Sequence, residues 1–200
     1  METLNVSRET FPDLEEFRRI IIQQNRSINL ISKQTVEISR ERHIIDSAQI
    51  IDLIDLNKES CTDIGSGSGL PGIVLAIIMK HKNSEMRFKL YEKSFHKSNF
   101  LKEVSNKFNL NVEVLQKDIF KEKNLSSDII VARAFKPLPV ILKLVHNNFK
   151  LFREVILFLG KNGKEILQDV MLEWKFEYEE KKSITSSEST IIKIKNLEKK

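Results

Sequence analysis

The sequence predicts an α/β protein. It reads as a mostly parallel central sheet with helices on both faces, an antiparallel C-terminal edge and an N-terminal helical cap. Three observations predict this. Short β-branched runs alternate with helical stretches over residues 60–159, and such a rhythm builds a parallel sheet because each crossover returns the chain to the same edge. A glycine-dense turn at residues 65–69 separates the first run from the helix after it. The residues before this unit carry helical periodicity, and those from Trp174 onward read as two strands about a polar turn. The expected division is a cap over residues 1–58 and a sheet domain over 59–200, joined in one compact unit, as suits 200 residues.

Each element has its own signal. Leu14, Phe17, Ile20, Ile21 and Ile22 recur at helical spacing and define a first helix. After a break at residues 25–29, a second helical stretch is expected over 36–56, with Ile38, Ile44, Ile45, Ala48, Ile51 and Ile54 on its apolar side. Residues 61–64 form the first strand, and 70–80 the next helix, where Pro71 is tolerated in the first turn. Strands are then expected at 86–91, 112–115, 128–132 and 154–159, with helices at 94–108 and 137–149. Residues 174–178 and 190–195 complete the antiparallel edge.

Composition excludes several classes. The chain is 40 % hydrophobic and 30 % charged, a globular balance. Its longest apolar runs, 73–79 and 155–159, fall far short of the roughly 20 residues that span a bilayer. Residues 1–5 and the acidic Asp13, Glu15 and Glu16 lack the basic start and apolar run of a signal peptide. Cys61 stands alone, which excludes a disulfide framework and a cysteine metal site. A cytoplasmic protein without membrane attachment is expected. The net charge of +5 is uneven, and residues 79–107 hold 8 Lys/Arg against 3 Asp/Glu. Lys80, Lys82, Arg87, Lys89, Lys93, Lys97 and Lys102 can therefore meet a polyanion, although a solvated lysine face accounts for the same charge.

The segment Asp63-Ile64-Gly65-Ser66-Gly67-Ser68-Gly69-Leu70-Pro71-Gly72 is the strongest feature. It sits at the carboxyl end of the first strand, where open α/β sheets bind ligands. Two patterns fit it. Gly67-x-Gly69-x-x-Gly72 with Glu92 twenty residues on satisfies the dinucleotide fingerprint. Asp63-x-Gly65-x-Gly67-x-Gly69 is the S-adenosylmethionine loop of Rossmann-like methyltransferases. The second reading accounts for Gly65, and the Asp63 carboxylate suits a cationic ammonium but repels a pyrophosphate. Glu92 serves either cofactor, since both present a ribose diol. Asp118, after the third strand, is placed to contact an adenine amino group or simply to cap a helix.

With these residues in hand, the chain resembles the bacterial 16S rRNA guanine-N7 methyltransferases over nearly its whole length. Asn29-Leu30-Ile31-Ser32, Arg42-His43-Ile44-Ile45-Asp46-Ser47, the loop ending Leu70-Pro71-Gly72, and Arg133-Ala134-Phe135 all stand where that family has like segments. Gln24-Asn25 and Gly160-Lys161 depart from its Trp-Asn and Lys-Gly pairs, and the second departure leaves Lys161 without a defined role. The resemblance implies a Rossmann-like class I methyltransferase fold and S-adenosylmethionine contacts at Gly65, Leu70, Asp118, Ile119 and Arg133. Asp63, Gly67, Gly69 and Glu92 join them from the loop argument. It also implies methylation of a guanine in the decoding-region loop of 16S rRNA, on the small subunit or its assembly intermediate. A monomer is expected.

Guanine N7 offers a lone pair and no proton, so direct attack needs no general base, and alignment supplies most of the catalysis. Attack from pyrimidine C5 would need a cysteine, and Cys61 lies within a strand. Arg133 can orient guanine O6 or a carboxylate, and Phe135 can stack on a base or pack in the core. Arg42, His43 and Asp46 are expected to shape the site, His43 and Asp46 sharing a helix face at hydrogen-bonding distance. His81, His96 and His146 do not form a metal set. Asp63→Ala is expected to weaken cofactor binding and spare the fold. Three other readings remain open: a different methyl acceptor, an NAD-dependent oxidoreductase, and a non-catalytic RNA-binding protein.

Overall fold

The computed structural model describes residues 6–82 and 85–200. Residues 1–5, read above for the absence of a signal peptide, lie outside the described residues.

Helix α1 (Thr10–Gln24) buries Leu14, Phe17 and Ile21 along one stripe, as their spacing predicts. The expected helix over 36–56 does not form as one element. The chain instead passes a 3-10 turn (Lys33–Thr35), a π turn (Arg40–Ile45), the three-residue α2 (Asp46–Ala48) and a second 3-10 turn (Gln49–Leu53). Residues 46–51 are all buried. A segment packed on every side takes its winding from its neighbours, and the one-sided apolar spacing of an amphipathic helix does not describe it.

The remainder follows β1 (Ser60–Ile64), α3 (Gly72–His81), β2 (Arg87–Tyr91), α4 (Phe95–Lys107), β3 (Val112–Leu115), β4 (Leu125–Ser126), β5 (Ile129–Ala132), α5 (Leu138–Asn148), β6 (Phe149–Leu151), β7 (Glu154–Leu159), α6 (Gly163–Glu173), β8 (Trp174–Lys182) and β9 (Thr190–Lys199). The sequence does not signal the small β4–β6 ribbon or α6. The ribbon strands are only 2 and 3 residues long, and α6 buries only Gly163, Leu167 and Val170, too short a stripe to stand out in the sequence.

Seven strands form one sheet in the order β3-β2-β1-β5-β7-β9-β8. β1 pairs in parallel with β2 on one side and β5 on the other. The chain thus builds outward from β1 to β3 and resumes on the opposite side with β5. Loops leaving the carboxyl ends of β1 and β5 diverge, and a crevice opens between them. β9 pairs antiparallel with both β7 and β8, the predicted edge. The fold is the expected Rossmann-like one, mostly parallel with an antiparallel C-terminal edge.

Residues 72–79 of α3 are all buried, which requires cover on both sides. The sheet provides one side. The other is the N-terminal segment, whose Leu14, Phe17, Ile44 and Ile50 share an apolar cluster with Ile73 and Ile77 of α3 and Leu101 of α4. On the opposite face of the sheet, Leu142 and Val145 of α5 and Leu167 of α6 pack on Ile130, Val155 and Ile192.

Candidate active site

The chain leaves β1 through Asp63 and Ile64 into the glycine loop. The N–H groups of Gly65 and Ser66 both donate to the Tyr91 carbonyl, at 2.9 and 3.0 Å, which folds the loop across the end of β2. Gly65 has φ +75°, and a Cβ there would lie 2.0 Å from Phe135 Cδ2. Glu92 braces the loop from β2. Its Oε2 accepts the Gly67 N–H at 2.9 Å, and its Oε1 accepts the Ser94 N–H at 2.7 Å. Both oxygens keep spare lone pairs. Asp118 accepts the Phe120 N–H at 3.1 Å and caps the 3-10 turn Ile119–Lys121. Gly65, Gly67, Glu92, Asp118 and Ile119 converge on a cavity of about 380 Å³. Tyr91, Phe120 and Phe135 add apolar wall, with Phe120 stacked on Phe135 at 5.9 Å. Lys93, Lys97, Lys117 and Lys136 also line it.

Asp63 does not line that cavity. Its carboxylate is buried, and Oδ2 accepts the N–H of Gly72, the first residue of α3, at 3.0 Å. Oδ1 has no hydrogen-bond partner among the described residues. Burial pushes this carboxyl up to about 7, against the lowering effect of the Gly72 bond. The arrangement bears on the dinucleotide pattern. A pyrophosphate needs the free N–H groups of the helix start, and here a carboxylate already takes the Gly72 N–H. Asp63→Ala would also leave the Gly72 N–H at the start of α3 without its acceptor, a cost of about 1–3 kcal/mol beyond any loss of cofactor binding.

Gly69, Leu70 and Arg133 likewise stand outside the cavity. Ala134, at φ +50°, turns the chain sharply after β5, with Phe135 over Gly65 and Arg133 against the N-terminal segment. Arg133 Nε donates to Asp46 Oδ2 at 2.8 Å. Its Nη2 donates to the Arg42 carbonyl and, at 3.4 Å, to His43 Nδ1. Arginine only donates, so His43 Nδ1 accepts and Nε2 carries the proton, donating to Thr35 Oγ1 at 2.8 Å. Burial, and then the charges of Arg133 and Arg42, lower the His43 pKa to about 4, which keeps it neutral at physiological pH.

The sequence spacing lets His43 and Asp46 share a helix face and hydrogen-bond. They meet through Arg133 instead, because the π turn between them winds more widely than an α-helix and moves residues three apart off a common face. Asp46 Oδ1 faces partners the sequence did not single out. It accepts from Gln49 Nε2 at 2.8 Å and from Thr185 Oγ1 at 2.6 Å. Gln49 is fully buried, and Thr185 lies in the β8–β9 turn. No local pattern could have marked Thr185, which is 139 residues from Asp46.

The basic residues divide. α3 runs back from the glycine loop toward the amino ends of the strands, so Lys80 and Lys82 at its end and Arg87 at the start of β2 lie away from the cavity. Lys80 is also held by the Phe108 carbonyl and Asp13. Only Lys93 and Lys97 of the expected set reach the cavity. His81 bonds Asp13, while His96 and His146 lie edge-on to Phe95 and Trp174. Among the described residues no group of three His, Cys, Asp or Glu side chains is placed to hold a metal. Lys161 pairs with Glu188 at the surface. No described helix is long and apolar enough to cross a membrane.

This fold, with a glycine loop and an acidic strand end flanking the cavity at the sheet's switch point, defines a Rossmann-like S-adenosylmethionine-dependent methyltransferase. In fold the chain is similar to a SAM dependent methyltransferase from Aquifex aeolicus, with TM-score 0.57 and 18 % identity over 78 % of this chain and 92 % of that one. It is similar as well to the 16S rRNA methylase RmtB, with TM-score 0.57 and 12 % identity over 96 % and 76 %. A family model described as rRNA small subunit methyltransferase G matches residues 10–195. The chain is 48 % identical to the Ribosomal RNA small subunit methyltransferase G of Pelagibacter ubique, covering 100 % of this chain and 95 % of the relative. It is 33 % identical to that of Ruegeria pomeroyi, covering 96 % and 94 %. The chain belongs to the rRNA small subunit methyltransferase G family.

Proposed function

We propose that this protein methylates N7 of a guanine in the decoding-region loop of 16S rRNA, by direct attack without a general base. The observation that carries this reading is the family match over residues 10–195. The site's chemistry agrees with it. When bound, S-adenosylmethionine supplies an electrophilic sulfonium methyl. Glu92 takes the ribose diol with its spare lone pairs, and Asp118 takes the adenine amino group, both on the cavity wall. The buried Asp63 Oδ1, without a hydrogen-bond partner among the described residues, suits an ammonium. Arg133 suits the accompanying carboxylate: Nε and Nη2 are committed, and Nη1 makes no hydrogen bond among the described residues.

Guanine N7 has no proton to remove. His43, on Arg133, is neutral and bonded at both nitrogens, so it holds the shape of the Arg133 clasp and shuttles nothing. Cys61 is fully buried, and its thiol pKa is raised well above the usual value, which removes the nucleophile that a C5 reaction requires. Lys93, Lys97 and Lys136 present positive charge around the cavity for RNA phosphate. The protein acts on the small subunit or its assembly intermediate as a cytoplasmic monomer.

The test is methyl transfer from labelled S-adenosylmethionine to small-subunit rRNA lacking the modification, mapped by aniline cleavage at 7-methylguanine. Cleavage at one guanine is the expected result. Label at another atom, or in no RNA while the cofactor still binds, overturns the substrate assignment.

A further inference from the structure

Arg133 is clasped from the N-terminal segment, but its clasp is itself held from the far end of the chain. Asp46 Oδ2 receives Arg133 Nε, while Asp46 Oδ1 receives Thr185 Oγ1 at 2.6 Å, Gln49 Nε2 at 2.8 Å and, more distantly, Ser183 Oγ at 3.3 Å. Gln49 is tied to the same turn, since its Oε1 accepts the Ile184 N–H at 2.9 Å. The Asp46 and Arg133 side chains are only 10 % and 14 % exposed, so water does little to screen their pairing. A carboxylate shared among four donors has one orientation that satisfies them all, and together with the Arg42 carbonyl and His43 at Nη2 it sets the plane of the guanidinium.

We propose that Thr185 and Gln49 are positioning residues for Arg133, acting through Asp46, so that the β8–β9 turn sets the direction in which the free Nη1 edge of Arg133 meets its ligand. The proposal rests on the reading above in one respect, that the ligand at Nη1 is the carboxylate of S-adenosylmethionine. The relay is independent of it.

Two measurements separate the relay from that reading. Thr185→Val removes the hydroxyl donor at nearly constant volume, and Thr185→Ser restores it. The first measurement is an NMR titration of His43 in the free protein. Arg133, Arg42 and Asp46 are the charged groups facing this imidazole, and Arg133 and Arg42 are what its charged form must resist after burial. Loosening Arg133 raises the His43 pKa in Thr185→Val, and Thr185→Ser keeps the native value. An unchanged titration in Thr185→Val overturns the relay. The second is calorimetric affinity for S-adenosylmethionine in Thr185→Val, Arg133→Gln and the double variant. Thr185→Val is expected to weaken binding about five- to tenfold where Arg133 is present and to have no effect beside Arg133→Gln. Equal losses in both backgrounds, or none in either, overturn the positioning role. A wild-type protein that binds no S-adenosylmethionine, with the His43 titration still moved by Thr185→Val, removes the cofactor reading and leaves the relay standing.

Discussion

Asp63 combines two demands in one side chain. Oδ2 completes the start of α3, and Oδ1 is a buried acceptor without a partner among the described residues. Its folded pKa of about 7 lies above the unfolded carboxyl value. The folded protein therefore binds the extra proton between those values, and this residue's contribution to stability falls as pH rises through about 7. A cationic ligand reverses the preference. Affinity for S-adenosylmethionine is expected to rise across about pH 6 to 8 with proton release near the midpoint, as calorimetry in buffers of different ionisation enthalpy would reveal. Asp63→Asn keeps an acceptor for Gly72, so it should fold, bind the cofactor weakly and lose this pH dependence. Gly65 is constrained as tightly. Gly65→Ala sets a Cβ against the Phe135 ring at a positive φ, and a loss of about 1–3 kcal/mol is expected in denaturant unfolding, with the cavity wall displaced.

Among the elements, the segment between α1 and β1 is decisive. Its π turn and short helices bring the Arg42 carbonyl, His43 and Asp46 to a single guanidinium that projects from the end of β5. Asp46→Ala leaves Arg133 buried without its carboxylate. Removing one partner of a buried pair costs about 3–5 kcal/mol, and a fall of that order in unfolding free energy is expected. Arg133→Lys keeps the charge but cannot bond Asp46, Arg42 and His43 from one plane, so it should lose most of the same stability.

Across the whole molecule, the N-terminal segment and the sheet share an apolar cluster through α3. Neither can leave without exposing residues 72–79, so both are expected to unfold in one transition, with coincident midpoints by far-UV circular dichroism and Trp174 fluorescence. RNA binding should weaken with salt, and Lys97→Ala should lower the slope of log affinity against log salt by about one unit. Lys80→Ala, at the amino ends of the strands, should leave it unchanged.

The parallel sheet, the glycine loop, and the places of Glu92 and Asp118 on the cavity wall are legible in the sequence. Each depends on local chemistry: β-branched runs, the conformational freedom of glycine at Gly65, and acidic residues at strand ends. These signals lie within a few residues of the structure they cause. Packing sets the winding of residues 36–56, the separation of Lys80, Lys82 and Arg87 from the cavity, the bond from the Gly72 N–H to Asp63, and the assembly of Arg133 with Asp46, Gln49 and Thr185. The physical reason is common to all of them. A buried segment takes its conformation from what surrounds it, and a hydrogen bond between residues 139 apart is set by how the elements pack.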